Sequence, residues 1–231
     1  MMWLKSITLA AILTMSASAN EGVVLLHGLC RTSASMAKLE AALVKDGFVV
    51  DNVGYPSRSA QVEPLSEAVI GKALASPRLA ACSRIHFVTH SLGGILLRSY
   101  FSRHTGPRLG RVVMLGPPNQ GSEVVDKLGT WWLFKKINGP AGSELGTAKD
   151  SVPHRLGPVT FELGVISGDR SINWINSLMI KGRDDGKVSV ERTKVDGMKD
   201  QLVVHATHPL LMRNARVIKS TIAFLKSGSF Q

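Results

Sequence analysis

Hydrophobic positions along the chain alternate between short unbroken apolar runs and longer stretches with helical spacing. Residues 22–27 (GVVLLH) form a continuous apolar run, the pattern of a strand buried on both faces. Residues 35–45 follow with Met36, Leu39, Leu43 and Val44 at helical intervals. The next strand is predicted over 48–53, stopped by Gly54 and Pro56, and the next helix over 63–74, broken by Pro77. A third strand at 85–89 leads into an apolar helix at 92–101, and a fourth strand at 111–115 ends at Gly116-Pro117-Pro118. Strands alternating with helices in this way predict parallel βαβ units, and so an α/β protein with an open, mostly parallel sheet covered by helices on both faces.

After Pro118 the rhythm breaks. Residues 119–158 are rich in Gly, Pro and Ser, with one helix-like piece at 122–128. Strand signal returns at 162–167 and 201–204, and residues 210–225 read as a terminal helix. The pattern predicts one domain over 20–231, with a cap or lid insertion at about 117–160 that is longer than ordinary connections.

Composition narrows the class. At 231 residues and 44% hydrophobic, the chain is long enough for one sizeable core and too apolar for disorder. Residues 1–19 read as a signal peptide: Lys5 is positive, residues 7–15 are apolar, and Ala17-Ser18-Ala19 suits signal peptidase. That predicts export to the periplasm or medium of a bacterium, with Asn20 as the first mature residue. Losing Lys5 alone takes the net charge from +11 to +10. The basic residues are scattered, with no aromatic-basic stripe or DNA-reading motif, so nucleic acid is not an expected partner. On an exported protein such charge reads most plainly as a solvated, soluble surface, with peripheral attraction to an anionic membrane or envelope polymer as the other reading.

Cys30 and Cys82 flank opposite ends of predicted strands. A five-residue strand is roughly 17 Å long, against a bridging limit of about 7 Å, so two unpaired, buried thiols are expected. They lack C-x-x-C spacing, and neither H-E-x-x-H nor a phosphate-binding glycine loop occurs, so no metal or cofactor is expected.

The strongest chemical signal is Thr89-His90-Ser91-Leu92-Gly93-Gly94 between the third strand and its helix. A serine on a sharp strand-to-helix turn projects its hydroxyl above the sheet, at the positive end of a helix. Gly93 relieves crowding there, while Thr89 stands where the usual G-x-S-x-G has its first glycine. A serine needs a base and an orienting acid, which on such a sheet follow it in chain order. His208, just before Pro209, is the candidate base; His205 continues the last strand and reads as a buried, satisfied imidazole. Asp185, in Asp184-Asp185-Gly186, is the candidate acid, with Asp184 and Asp169 as alternatives. The backbone N–H groups of Leu92 and of Leu29, in His27-Gly28-Leu29, are the candidate oxyanion donors. His27 is expected to hold its loop by hydrogen bonds.

These stretches resemble the α/β-hydrolase superfamily, and within it the bacterial lipase and esterase group with a His-Gly oxyanion motif. The resemblance is carried by LLHGL at 25–29, VTHSLGG at 88–94, LGPPNQGS at 115–122, DDGKVSV at 184–190 and THPLL at 207–211, in the expected order. It implies an α/β-hydrolase fold, cleavage of a small-molecule ester or lipid through an acyl-enzyme on Ser91, Asp185 as acid, His208 as base, and Leu29 and Leu92 as oxyanion donors. Thr89 and the short chain are its departures. Acyltransferase or thioesterase activity at the same site, and a non-catalytic binding protein on this scaffold, are the alternatives. Trp131-Trp132-Leu133-Phe134, followed by Lys135 and Lys136, lies in the insertion. It reads either as a lipid-facing lid or as a satellite core packed on the sheet, and packing is the first expectation because adjacent aromatics are usually buried.

Overall fold

The computed structural model describes residues 20–231; the predicted signal segment lies outside them. Six strands form one sheet: β1 (Glu21–Leu26), β2 (Val49–Val53), β3 (Arg84–His90), β4 (Leu109–Leu115), β5 (Leu163–Gly168) and β6 (Asp200–Val204). Their order is β2-β1-β3-β4-β5-β6, and every neighbouring pair is parallel.

Alternate side chains of one strand feed two separate cores, as the period-two geometry of a strand requires. Val23 and Leu25 point to the face covered by α1 (Ala37–Lys45) and α8 (Ala215–Ser227), where they join Leu39, Leu43, Val217 and Phe224. Val24 and Leu26 point to the other face, against α2 (Val62–Leu74) and α3 (Leu92–Phe101), with Leu65, Ile70, Ile95 and Leu96. Helices therefore cover both faces, and each side of the sheet is dry.

The strand order reverses direction at β1. From there the chain steps outward to β2 by way of α1 on one face, then returns to β3 and leaves by α3 on the other. The loops leaving β1 and β3 diverge to opposite faces and open a crevice at the C-terminal edge of the sheet.

Residues 116–162 separate β4 from β5 and carry α4 (Glu123–Leu128), α5 (Trp132–Ser143) and α6 (Val152–Arg155). The sequence pattern predicted only the first of these. Helix α5 is broken at Gly139, whose φ of 66° is non-helical, next to Pro140. A further single turn, α7 (Trp174–Ser177), follows β5. The predicted terminal helix starts later than expected. Pro209 opens a 3-10 turn over His208–Arg213, and the Asn214 side chain then caps α8 by accepting from the Arg216 and Val217 amides. Both cysteines are free, but only Cys82 is buried; the expectation fails for Cys30, which sits exposed in the loop after β1.

One buried cation ties the long β4–β5 segment to the sheet. Arg98 of α3 donates to the Asn119 carbonyl (2.9 Å) and side-chain oxygen (3.2 Å), and to the carbonyls of Pro153 (3.1 Å) and Gly157 (2.7 Å). Its partners are neutral oxygens, and burial pulls its guanidinium down to about 10. Replacing Arg98 by Met leaves those buried acceptors unpaired and should cost about 3 kcal/mol of unfolding free energy, read from urea denaturation.

Candidate active site

Ser91 occupies the turn between β3 and α3 with φ 53° and ψ −118°, a conformation that costs a non-glycine residue on the order of 1–3 kcal/mol. Two backbone bonds hold it there: the Ser91 amide donates to the Leu115 carbonyl (2.9 Å), and the Gly94 amide to the Ser91 carbonyl (3.0 Å). Gly93 is required because a Cβ there would stand 2.9 Å from the Leu26 carbonyl oxygen, where helix and strand meet. Thr89, in place of the first elbow glycine, is fully buried and accommodated.

On the far side of the crevice, the His208 Nδ1–H donates to the Asp185 carboxylate at 2.7 Å. Asp185 is 1% exposed, and its other oxygen accepts from the Lys187 and Val188 amides, both at 3.0 Å. The His208 amide donates to the Asp185 carbonyl (2.9 Å), so the two residues are joined through backbone as well as side chain. With Nδ1 so engaged, Nε2 is left as the basic nitrogen. Gly116, at the end of β4, is what the pair packs over. A Cβ there would lie 3.0 Å from both Asp185 Oδ2 and His208 Nδ1. In the sequence Gly116 marks the end of a strand and falls within LGPPNQGS, and neither feature signals this contact.

The alternative acids are engaged elsewhere. Asp184 accepts from the Ser177 hydroxyl (2.9 Å) and the Gly186 amide (2.7 Å), closing its own turn. Asp169 pairs with Arg183 and with Nδ1 of His205 (3.0 Å). His205 is thus solvent-exposed on a surface ion-pair cluster, correcting the expectation of a buried imidazole. His205 lies just past the end of the edge strand β6, where its side chain can turn outward, which the sequence run of Leu202, Val203 and Val204 concealed.

Ser91 and His208 line one cavity of about 480 Å³, together with Asp185, Leu29 and His90. Among the described residues the Ser91 hydroxyl makes no hydrogen bond to His208. Such links are often formed only when a substrate is bound. The Leu29 and Leu92 amides, from the two diverging loops, donate to no protein group among the described residues, leaving both free for an incoming oxygen.

Two further histidines brace the site, His90 from the cavity wall and His27 from the loop after β1. His27 donates from Nδ1 to the Gly28 carbonyl (2.9 Å), accepts at Nε2 from the Tyr55 amide (3.3 Å) and stacks on the Tyr55 ring at 4.1 Å. It therefore holds the loop, as its position suggested. His90, unassigned from sequence, donates from Nε2 to the His208 carbonyl (3.0 Å) and lies 4.8 Å from the His208 ring. Gly28 makes room for it, since a Cβ there would stand 2.6 Å from His90 Nδ1. Burial pushes both imidazoles below the usual histidine range, His90 furthest, helped by its neighbour His208.

Among the described residues no cluster of three or more His, Cys, Asp or Glu is arranged to hold a metal ion. The cavity wall includes Phe134, but Trp131, Trp132 and Leu133 are exposed, Trp132 at 72%, so the expectation of a packed satellite core is wrong for three of the four. Consecutive residues on a helix point in different directions, and only Phe134 faces inward.

Solved structures share this architecture. The mature form of the lipase BlEst2 from Bacillus licheniformis matches with a TM-score of 0.68 at 16% identity, covering 92% of this chain and 93% of that one. The metagenomic carboxyl esterase MGS0156 matches at 0.65 and 16% identity, over 85% of this chain and 66% of that one. Phospholipase PlaB from Legionella pneumophila matches at 0.62 and 19% identity, over 76% of this chain but only 46% of its own length. No protein-family profile matches the chain, and no curated protein matches it by sequence. The chain has the α/β-hydrolase fold in the form seen in bacterial lipases and esterases.

The buried imidazoles set a pH dependence of stability. Their folded-state pKa values lie below the ordinary 6.5, so the unfolded chain takes up protons first as the pH falls. Stability is therefore full above about pH 6.5 and declines below it, toward the folded-state values, by up to about 1.4 kcal/mol per pH unit for each histidine. Urea denaturation from about pH 7.5 down to 5 should show this slope, and His90→Gln should make it shallower.

Proposed function

We propose that this chain is a serine hydrolase that cleaves carboxylic esters through an acyl-enzyme on Ser91. The observation that carries the reading is the Asp185–His208 pair opening onto the same cavity as a serine held at positive φ. In this scheme Ser91 Oγ attacks the ester carbonyl carbon and passes its proton to His208 Nε2. Asp185 keeps the proton on Nδ1 and stabilises the imidazolium that forms. The carbonyl oxygen, now negative, is received by the Leu29 and Leu92 amides. His208 returns the proton to the departing alcohol, leaving the acyl group on Ser91. A water, deprotonated by the same nitrogen, then releases the acid and restores the serine.

The cavity supports an acyl chain as the recognised portion. Leu29, Val124, Val125, Phe134, Leu145 and Val188 line it, an apolar wall around a few polar groups. The lipase and esterase titles of the structural neighbours support the same reaction class. Export is part of the proposal: the mature protein should begin at Asn20, which the intact mass of the protein recovered from the producing cell checks directly.

Ser91→Ala should lower hydrolysis of short p-nitrophenyl esters by at least about 10⁴-fold while leaving the urea midpoint near that of the parent. Asp185→Asn should cost about 10⁴-fold in kcat, because the amide favours the wrong imidazole tautomer. Asp184→Asn and Asp169→Asn should stay within about tenfold. Equal losses at all three aspartates would remove the assignment of the acid.

A further inference from the structure

Among the described residues, eight of the ten large exposed apolar side chains fall on two short segments at the rim of the cavity; Val44 and Leu210 lie elsewhere. One is the start of α5, with Trp131, Trp132, Leu133 and Ile137 exposed. The other is α7 and its flanks, with Ile172, Trp174, Ile175 and Leu178 exposed, the last at 76%. Phe134 and Ile137 from the first segment and Ile172 from the second line the cavity itself. The two lobes therefore stand on either side of one opening. Apolar surface so concentrated marks an interaction face, since exposed hydrophobic residues are ordinarily dispersed.

The charges around this rim say what it meets. Residues 127–143 hold Lys127, Lys135 and Lys136 and no acid; residues 170–183 hold Arg170, Lys181 and Arg183 and no acid. Of these six cations, only Arg183 is paired with a carboxylate among the described residues, through Asp169. Three tryptophans, branched aliphatics and five cations that pair with no carboxylate among the described residues match the layered chemistry of an anionic bilayer, with Asp126, Glu144, Asp169 and Asp184 bordering the two segments. Indole rings settle at the interface, aliphatic side chains reach the acyl region, and each Lys or Arg near the headgroups adds electrostatic attraction. Neither segment is long enough to cross a bilayer, and no helix among the described residues is.

We propose that the two cationic, aromatic lobes flanking the cavity mouth form one docking face for an anionic phospholipid surface, from which an acyl lipid enters the Ser91 cavity. The identity of the substrate rests on the ester-hydrolase reading, whereas docking does not, so the two can fail separately. On the bilayer the cavity mouth faces the acyl chains, and an ester reaches Ser91 without its apolar chain crossing water.

The test uses the mature chain carrying Ser91→Ala, which binds without turnover, sedimented with vesicles of phosphatidylglycerol and phosphatidylcholine or of phosphatidylcholine alone. It should bind the anionic vesicles, at least about tenfold more weakly in 0.5 M salt, and bind the neutral vesicles less. Adding Trp132→Ser and Trp174→Ser should reduce partitioning about a hundredfold. Lys135→Glu with Lys136→Glu should weaken binding to the anionic vesicles only. In the Ser91 parent, the double tryptophan variant should keep its turnover of a water-soluble short ester. Equal sedimentation with both vesicle types, or undiminished binding by the double variant, would overturn the proposal. So would a dimer in light scattering that the tryptophan substitutions dissociate, because a second copy would then be the occupant. Vesicle binding without esterase activity would instead count against the catalytic reading alone.

Discussion

The hydrogen bond between Asp185 and His208 is the interaction on which the candidate site depends. A carboxylate this deeply buried is costly unless its lone pairs are used, and here two backbone amides and one imidazole N–H use them. The cost of burying Asp185 is thereby converted into orientation of the histidine. The same pair joins the loop after β5 to the loop after β6, through the His208 amide and the Asp185 carbonyl as well as the side chains. Its footing is the bare backbone of Gly116, and a methyl group there would press on both partners. His90 holds the base from below by bonding its carbonyl, so the residue beside the nucleophile also fixes the residue that would activate it.

The sheet decides why these groups meet at all. Reversal of strand order at β1 sends the loops after β1 and β3 to opposite faces, and the gap between them is where Leu29 and Ser91 stand. The backbone amides of Leu29 and Leu92, one from each loop, point no hydrogen bond at any protein group among the described residues and face that gap. The strain at Ser91 is sustained by a sheet whose two faces are fully covered, with the Leu115 carbonyl of the neighbouring strand pinning the turn. The candidate site sits at the edge of a rigid element rather than on a free loop, the placement that holds a geometry most narrowly.

Much of this was legible in the chain because the physics behind it is local. Buried parallel strands must be apolar on both faces, so residues 22–27, 85–89 and 111–115 announced themselves, and every predicted strand is present within two residues. The sharp turn at Ser91 was legible from Thr89 to Gly94; of the candidate acids, the structure joins Asp185 to the candidate base His208 and engages Asp184 and Asp169 elsewhere. What failed to show was direction. Nothing in Trp131-Trp132-Leu133-Phe134 states that three side chains face out and one faces in, because that depends on where α5 lies over the cavity. The same holds for Cys30, in the loop after the buried β1, and for His205, just past the edge strand β6, both turned to solvent. Helices α5 and α7 were hidden by Gly139-Pro140 and by the shortness of a single turn. Gly116 and His90 matter through contacts between residues far apart in the chain, and no local pattern encodes those.

The central claim is that Ser91 is a nucleophile activated by a base from the far end of the chain. Labelling with a fluorophosphonate, followed by peptide mass mapping, tests it most directly, because the reagent modifies a serine only where a neighbouring base and oxyanion donors are in place. The account predicts one adduct, on Ser91, formed quickly by the parent and at least about a hundredfold more slowly after His208→Ala. An unlabelled Ser91 in a folded protein, or labelling indifferent to His208, would contradict it.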